Sequence, residues 1–364
     1  MHSGGEAACG TFPCQNINAA AMQIPDSTRE WLTSADEPAV ATLALRDVFE
    51  DEPDRAAALW ARRNESVPVA RILQLMHSDG SWAPPARDYQ KYWGSLWQIH
   101  LLGELHADGS DPRVATAADY AFSRQLPDGS WSSTNMRAAG SIPCLTANVG
   151  RALARLGYAR DERVVRALGH CVDLFRELGC PNCRQGVGYQ LNGYCHMLTP
   201  KLLLFLAEVP RELWPDGASD LRDACVGALR DKRVFQSLPA ESREFQDLLW
   251  SAPAGERDGL LERFRGEHPD LHFGVKPGWL RFGYPLSYNS DALEALHALA
   301  LHDEPRRPEY EEALAAVRKA ADAEVRWTLR QTFNGRMLAD VETKGQPSRW
   351  LTWRALVVLK HFGE

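Results

Sequence analysis

Apolar side chains recur at helical spacing through most of the chain. Leu145, Val149, Leu153 and Leu156 repeat at i, i+4, i+8 and i+11, which is the period of one face of an α-helix. Other stretches carry the same pattern, and none alternates convincingly at every second residue. We therefore predict an all-α protein with helices over 93–102, 145–156, 195–209, 291–301 and 350–359, and an earlier helix over 39–49 that pairs with 54–76.

A turn motif recurs with a period of about fifty residues. Ser78-Asp79-Gly80-Ser81-Trp82 returns as Pro127-Asp128-Gly129-Ser130-Trp131, 49 residues later. Glycine tolerates the positive φ that a reversing chain needs, and the indole N–H of the following Trp can cap a helix carbonyl. Each unit is therefore expected to be a helix, a turn and a second helix.

About six helical hairpins of this period can close into a ring. This ring is expected to be one domain over residues 26–364, with an insertion around 210–277. Residues 1–25 are rich in Gly and Ala and are expected to form a flexible N-terminal tail.

Composition and charge exclude several classes of protein. The 364 residues are 45% hydrophobic, which is enough for a large core. The formal net charge is −7 and no dense Lys/Arg stripe is present, so nucleic acid is not an expected partner. No apolar run approaches the ~20 residues of a membrane-spanning helix. Residues 1–23 lack the pattern of a secretory signal, and we predict a cytoplasmic protein.

The second turn carries a family resemblance. Residues 125–131, Gln-Leu-Pro-Asp-Gly-Ser-Trp, match the Gln-x3-Gly-x-Trp repeat of squalene cyclases, with Tyr120 and Phe122 upstream. The copy at 74–82 has two extra residues, and the one at 331–335 lacks the Trp. The chain thus resembles the terpenoid cyclase and protein prenyltransferase superfamily. This resemblance implies an α/α toroid, with inner and outer helices around a central cavity, and a hydrophobic small-molecule substrate, most simply an isoprenoid. We expect a monomer or homo-oligomer.

Four residues have the spacing of a metal site. Cys180 and Cys183 form a Cys-x2-Cys pair, and Cys195 and His196 follow at the start of a predicted inner helix. Zinc prefers four such ligands in a tetrahedron, so the set predicts a zinc site at the mouth of the cavity. The zinc of prenyltransferases, held by Asp, Cys and His, resembles it only at His196. The alternative is that these cysteines are simply buried.

Two residues are candidates for catalysis. Squalene-type cyclases protonate an alkene with an Asp-x-Asp-Asp motif, and this chain resembles that motif only at Asp291. Asp291 with Glu294 is also a capping-box pattern. Cys144 begins another inner helix, where the helix dipole favours a thiolate, and it is a candidate nucleophile or metal ligand.

A set of aromatic residues lies near the predicted starts of the inner helices, where π faces would suit prenyl chains or carbocations. Its members are Trp93, Trp97, Tyr194, Trp279, Tyr284, Trp350 and Trp353. Core packing is the alternative for most of them. Arg349, Arg354 and Lys201 are the basic residues that we would direct at a diphosphate.

These observations leave three functions open. The leading hypothesis is a zinc-dependent enzyme that acts on an isoprenoid inside the toroid. The second is a metal-independent cyclase or isomerase with Asp291 as the acid. The third is a non-catalytic toroid that binds a hydrophobic ligand or protein, with structural zinc. A glycan hydrolase would need paired carboxylates, and the predicted inner helices offer only Asp291 and Glu294.

Overall fold

The computed structural model describes residues 22–133, 141–183, 194–237, 241–269, 274–276 and 278–363. Within them the chain forms fifteen α-helices: α1 (Asp26–Leu32), α2 (Pro38–Leu43), α3 (Pro53–Ala61), α4 (Val67–Gln74), α5 (Ser95–Glu104), α6 (Pro112–Ser123), α7 (Pro143–Leu153), α8 (Glu162–Leu178), α9 (Leu198–Glu208), α10 (Ala218–Asp231), α11 (Glu241–Ser251), α12 (Arg257–Glu267), α13 (Ala292–Ala300), α14 (Glu311–Lys319) and α15 (Arg349–His361).

Strands are few and short. The described residues form β1 (Gln236–Ser237), β2 (Gly274–Val275), β3 (Trp327–Thr328) and β4 (Pro347–Ser348). β1 pairs antiparallel with β2, and β3 pairs antiparallel with β4. The second pair brings the end of one turn next to the start of α15, so it positions an inner helix.

The helices form two concentric layers. In the inner layer, α5 packs on α7, α7 on α9, α9 on α13, α13 on α15 and α15 on α2. The outer helices α4, α6, α8, α10 and α14 each contact one or two inner helices. The prediction of an all-α protein built as an α/α toroid is confirmed, and the five later predicted helices correspond to α5, α7, α9, α13 and α15.

Burial separates the two layers. Every residue of α7 is buried, as is every residue of α13, because these helices lie between the outer layer and the centre of the ring. Outer helix α8 buries only one stripe, which includes Val164, Leu168 and Cys171. This difference follows from the sequence, since a helix that is apolar all round must be enclosed and an amphipathic one has a solvent face.

The Asp-Gly-Ser-Trp turn joins an outer helix to the next inner helix. The indole N–H of Trp131 donates to the carbonyl of Ala121 in α6 at 2.9 Å, and its backbone N–H donates to the hydroxyl of Thr146 in α7 at 3.1 Å. Gly129 has a φ of 87°, and a Cβ there would lie 2.5 Å from the carbonyl oxygen of Arg166. The turn therefore requires glycine and uses Trp to hold two helices together.

The same two hydrogen bonds recur at two other tryptophans. The indole N–H of Trp82 donates to the carbonyl of Ile72 at 2.7 Å, and its backbone N–H donates to the hydroxyl of Ser95 at 3.1 Å. The indole N–H of Trp327 donates to the carbonyl of Val317 at 2.8 Å, and its backbone N–H donates to the hydroxyl of Thr352 at 3.1 Å. The degenerate copy expected at 331–335 is thus misplaced, because the equivalent turn ends at Trp327.

The segment from 210 to 277 contains two kinds of structure. Helix α10 contacts α8 and α9 and belongs to the outer layer, whereas α11 and α12 pack on each other.

Residues 1–21, including Cys9 and Cys14, lie outside the described residues. None of the described helices is both long and apolar enough to cross a membrane.

Candidate active site at the heads of the inner helices

Asp291 caps the start of α13 and is 1% exposed. Its Oδ1 accepts the backbone N–H of Glu294 at 2.8 Å, and its Oδ2 accepts the backbone N–H of Gly283 at 3.0 Å. Burial, together with the nearby carboxylate of Glu294, raises the pKa of Asp291 to about 7, against the opposing effect of these two hydrogen bonds and of Arg354. Asp291 is thus a helix cap and, at neutral pH, a carboxyl group close to half protonation.

Three of the predicted aromatic side chains pack together next to α13. Tyr284, which follows Gly283, stacks on Trp350 of α15 with ring centroids 4.9 Å apart and planes 9° apart. Trp353 meets Trp350 edge-on at 6.2 Å. These three predicted residues lie together with Asp291 at the α13–α15 side of the ring.

A second aromatic group surrounds Trp97 at the start of α5. Tyr288 lies 4.9 Å from Trp97, and Tyr92 lies 5.6 Å from it, between ring centroids. Tyr92 is also stacked on Phe333 at 3.9 Å. Trp93 is half-buried, and its carbonyl accepts a hydrogen bond from a side-chain amide of α5. The sequence pattern indicates Trp93 and Trp97, but Tyr288 and Phe333 were not among the predicted residues; Phe333 lies in the long connection before α15, far from any helix start.

A buried ionic network crosses the centre of the ring. Arg151 of α7 contacts Glu104 of α5 at 2.5 Å, and Arg354 of α15 lies 3.8 Å from the same carboxylate. Arg155 pairs with Glu208 at 2.5 Å. Burial favours the neutral form of Glu104, but the guanidinium groups of Arg151 and Arg155 prevail and hold its pKa far below its usual range. Within this network, the contact of Arg354 with Glu104 joins α15 to α5, which are not consecutive in the inner ring.

The four predicted zinc ligands do not all converge. Nε2 of His196 donates to the carbonyl of Gln236, 3.0 Å away, and its ring packs against Tyr194 and Trp279. Over the part of the chain that the structure describes, no group of three or more His, Cys, Asp or Glu side chains could hold a metal ion. The residues as placed therefore do not fit zinc, and zinc binding stays a prediction from sequence.

The thiols nevertheless form a contact of their own. The thiol of Cys195 interacts with Cys144 and Cys183. The contact with Cys144, together with burial, raises the pKa of Cys195 to about 12 in spite of the Cys183 contact. Cys144 therefore lies against another thiol at the heads of α7 and α9, not against Asp291. Cys180 is half-exposed.

Three basic residues expected to face a substrate have protein partners. Lys201 lies 3.2 Å from Glu294 and donates to the carbonyl of Asn289 at 2.8 Å. Arg354 belongs to the central network. Arg349 donates to a backbone carbonyl of α1 at 3.0 Å. Each of these three cations is therefore already bound to groups of the protein itself.

A basic pocket of about 360 Å³ lies at the rim, and sequence reasoning missed it. Its lining, as far as the chain is described, holds four cations and no carboxylate: Arg281, Arg330, Arg336 and Lys344. Asn289, two residues before Asp291, forms part of the same wall. Arg330, Arg336 and Lys344 lie within fifteen residues of one another, and the fold brings Arg281 from a separate segment next to them, so no sequence spacing indicated the pocket.

Comparison with known proteins identifies no family. No protein-family model matches the chain, and no curated protein matches it. The chain is similar to a solved structure of the type II terpene cyclase MstE from Scytonema, a single-residue variant in complex with geranylgeranyl dihydroxybenzoate as substrate. The identity is 11%, the TM-score is 0.30, and the match covers 83% of this chain and 96% of that one. A likeness at this level assigns neither a family nor a function.

Proposed function

We propose that the chain is an enzyme that initiates cyclisation or isomerisation of an isoprenoid by protonating an alkene, with Asp291 as the acid. One observation carries the proposal: a carboxyl group that is 1% exposed at the head of an inner helix, with a pKa raised to about 7. Such a group holds a proton at a pH where an ordinary carboxyl has lost it. The isoprenoid substrate is inferred from the resemblance of the sequence to the superfamily.

The proposed step balances simply. The O–H bond of Asp291 breaks, the proton adds to the less substituted carbon of a double bond, and a tertiary carbocation remains on its neighbour. A second double bond of the same chain then attacks the cation and closes a ring. Loss of a proton from carbon to water, or capture of water, ends the reaction without any oxidant or reductant.

The aromatic residues have a role in this scheme. The ring of Trp97 is electron-rich, and such a face attracts a cation without reacting as a base would. The rings of Tyr284 and Trp350 stack on each other, with Arg354 and His106 against them, and form the wall behind the acid. Burial keeps water from capturing the cation early. The hydroxyl of Tyr284 donates to the carbonyl of Glu104 at 2.6 Å, so its ring has a fixed orientation.

Zinc is left out of this proposal. The leading sequence hypothesis required Cys180, Cys183, Cys195 and His196 to meet, and the side chain of His196 is turned to Gln236. No step of the proposed reaction uses a metal. Measuring the metal content of the purified protein and of Cys183→Ala tests the zinc hypothesis separately.

The experiment compares two aspartates that have the same structural role. Asp161 caps outer helix α8 through the backbone N–H of Arg163, as Asp291 caps α13. Asparagine keeps the capping oxygen at both positions, but at position 291 its amide nitrogen cannot accept the N–H of Gly283, so circular dichroism first checks that Asp161→Asn and Asp291→Asn keep their helices. Wild type and both variants are incubated with farnesol, farnesyl diphosphate and geranylgeranyl diphosphate, and products are analysed by mass spectrometry.

We expect cyclised or isomerised product from wild type and Asp161→Asn, and none from Asp291→Asn. Equal turnover by Asp291→Asn would remove the acid from the proposal. If wild type binds a prenyl compound without converting it, the non-catalytic binding toroid replaces the enzyme.

A further inference from the structure

The rim pocket has a strong excess of positive charge. Arg281, Arg330, Arg336 and Lys344 are all exposed residues that line one concavity of about 360 Å³. Within the described residues, none of the four forms an ion pair or a side-chain hydrogen bond, whereas most other arginines of the chain do. Four unpaired like charges around one cavity repel one another, and a bound anion would relieve that repulsion.

The rest of the wall offers neutral polar groups and one ring. Gln331, Thr332 and Asn334 line the pocket on one side, and Asn289 lines it on the other. Amides and hydroxyls can donate to phosphate oxygens, and guanidinium groups bind phosphate with two parallel hydrogen bonds. The pocket volume lies within the ~300–1,000 Å³ of small-molecule sites. The chemistry therefore fits a compact ligand with several negative charges.

The backbone connects this pocket directly to Asp291. Gly283 forms a bridge with Gln331, and the backbone N–H of Tyr284 donates to the carbonyl of Gln331 at 3.2 Å. Gly283 in turn donates to Asp291. One peptide thus separates the pocket wall from the candidate acid.

The pocket also borders the aromatic interior. Phe333 lines it and stacks on Tyr92, which contacts Trp97 of α5. A ligand with a charged head in the pocket and an apolar tail would place the tail against these rings. The pocket is therefore charged at the rim and leads to an apolar surface.

We propose that Arg281, Arg330, Arg336 and Lys344 bind a phosphate ester, and that the substrate of the toroid is a prenyl phosphate or diphosphate held by its head group at the rim. This substrate class rests on the proposed function, but the anion site itself does not. The proposed cyclisation leaves the phosphate ester bond intact, since protonation occurs at carbon.

Calorimetric titration tests the site without catalysis. The full chain is titrated with inorganic diphosphate, and the measurement is repeated with Arg330→Gln, Arg336→Gln and the double variant. Lys319→Gln is the matched control, because Lys319 is an exposed cation at the end of α14, away from the pocket. Circular dichroism checks that each variant keeps its helices.

We expect saturable binding near one equivalent, weakened about tenfold or more by each arginine substitution, since hydrogen bonds from charged donors carry that much. Lys319→Gln should bind as wild type. Absence of binding, equal binding by the arginine variants, or an equal loss in Lys319→Gln would each overturn the site.

Two further arms identify the source of the phosphate. Farnesyl diphosphate should bind more tightly than inorganic diphosphate and far more tightly than farnesol, because head and tail both contribute. Binding to phosphatidic acid vesicles without binding to soluble diphosphate would overturn the proposal in favour of a membrane surface. Asp291→Asn should bind diphosphate as wild type does. Diphosphate binding by wild type without any turnover of a prenyl diphosphate would refute the acid and leave the anion site standing.

Discussion

The backbone N–H of Gly283 donates a hydrogen bond to Oδ2 of Asp291 at 3.0 Å. Gly283 is also enclosed from the other side, since a Cβ there would lie 2.7 Å from the carbonyl oxygen of Gln331. A single glycine therefore fixes the distance between the rim pocket and the candidate acid.

Gly283→Ala should damage both stability and activity. The added methyl group must push Gln331 or Gly283 away, and overpacking of this kind costs about 1–3 kcal/mol of unfolding free energy. Displacement of the N–H from Asp291 should also reduce turnover. Denaturant unfolding and product formation are the measurements. Gly227→Ala is the control: its Cβ would meet nothing nearer than 3.9 Å in helix α10, so it should be neutral or stabilising. Equal effects of the two substitutions would contradict this role of Gly283.

The pH dependence should report Asp291. Its pKa is about 7 in the folded protein, so turnover should be highest below pH about 7 and fall as the carboxyl group ionises above it. The same shift affects stability. A folded pKa raised above the unfolded one contributes stability that is present below pH about 4 and is lost as pH rises towards about 7. Relative to Asp291→Asn, wild type should therefore lose unfolding free energy between these values. A pH-independent difference would show that the pKa is not raised.

Neutralising Glu104 in the central ionic network should lower the free energy of unfolding strongly. Glu104→Gln removes the charge that compensates Arg151 and Arg354, and breaking a buried pair in this way typically costs about 3–5 kcal/mol. The exposed pair of Arg160 and Glu212, with a nitrogen–oxygen distance of 2.7 Å, supplies the control, since Glu212→Gln should have no measurable effect. Thermal and urea unfolding compare the two variants, and a stable Glu104→Gln would mean that the network is dispensable.

The tryptophan turns should be energetically equivalent. Trp131→Phe and Trp327→Phe each remove the same indole hydrogen bond to an outer helix and part of a buried ring, at an expected cost of about 1–3 kcal/mol each. Trp60 is half-buried and its indole N–H has no hydrogen-bond partner among the described residues, so Trp60→Phe should cost less. A Trp327→Phe protein as stable as Trp60→Phe would argue against the structural equivalence of this turn.

The sequence predicted what depends on local pattern. Helical periodicity located the inner helices. Gly80 and Gly129 made the repeat recognisable in the sequence, because the turn needs a residue with a positive φ. The sequence pattern did not predict the turn that ends at Trp327, because Val325, with a φ of 59°, stands where the other two turns have glycine. No glycine-based motif could detect it.

The candidate site was less predictable, because side-chain direction is not encoded in spacing. Cys195 and His196 are adjacent in sequence, yet one meets Cys144 and the other meets Gln236. Asp291 could be selected because it starts a helix. The rim cations could not be selected in the same way, since only the folded chain brings Arg281 next to the segment 330–344 and forms a pocket between them.

Transfer of a proton from solvent to carbon tests the central claim most directly. Asp291 exchanges its proton with water before each turnover, so in deuterium oxide the product formed from a prenyl diphosphate should carry deuterium at the carbon that was protonated. Mass spectrometry and NMR of the product locate it. The account predicts solvent deuterium in the cyclised product of wild type and of Asp161→Asn, and no product from Asp291→Asn. Cyclised product without carbon-bound deuterium, or deuterated product from Asp291→Asn, would contradict it.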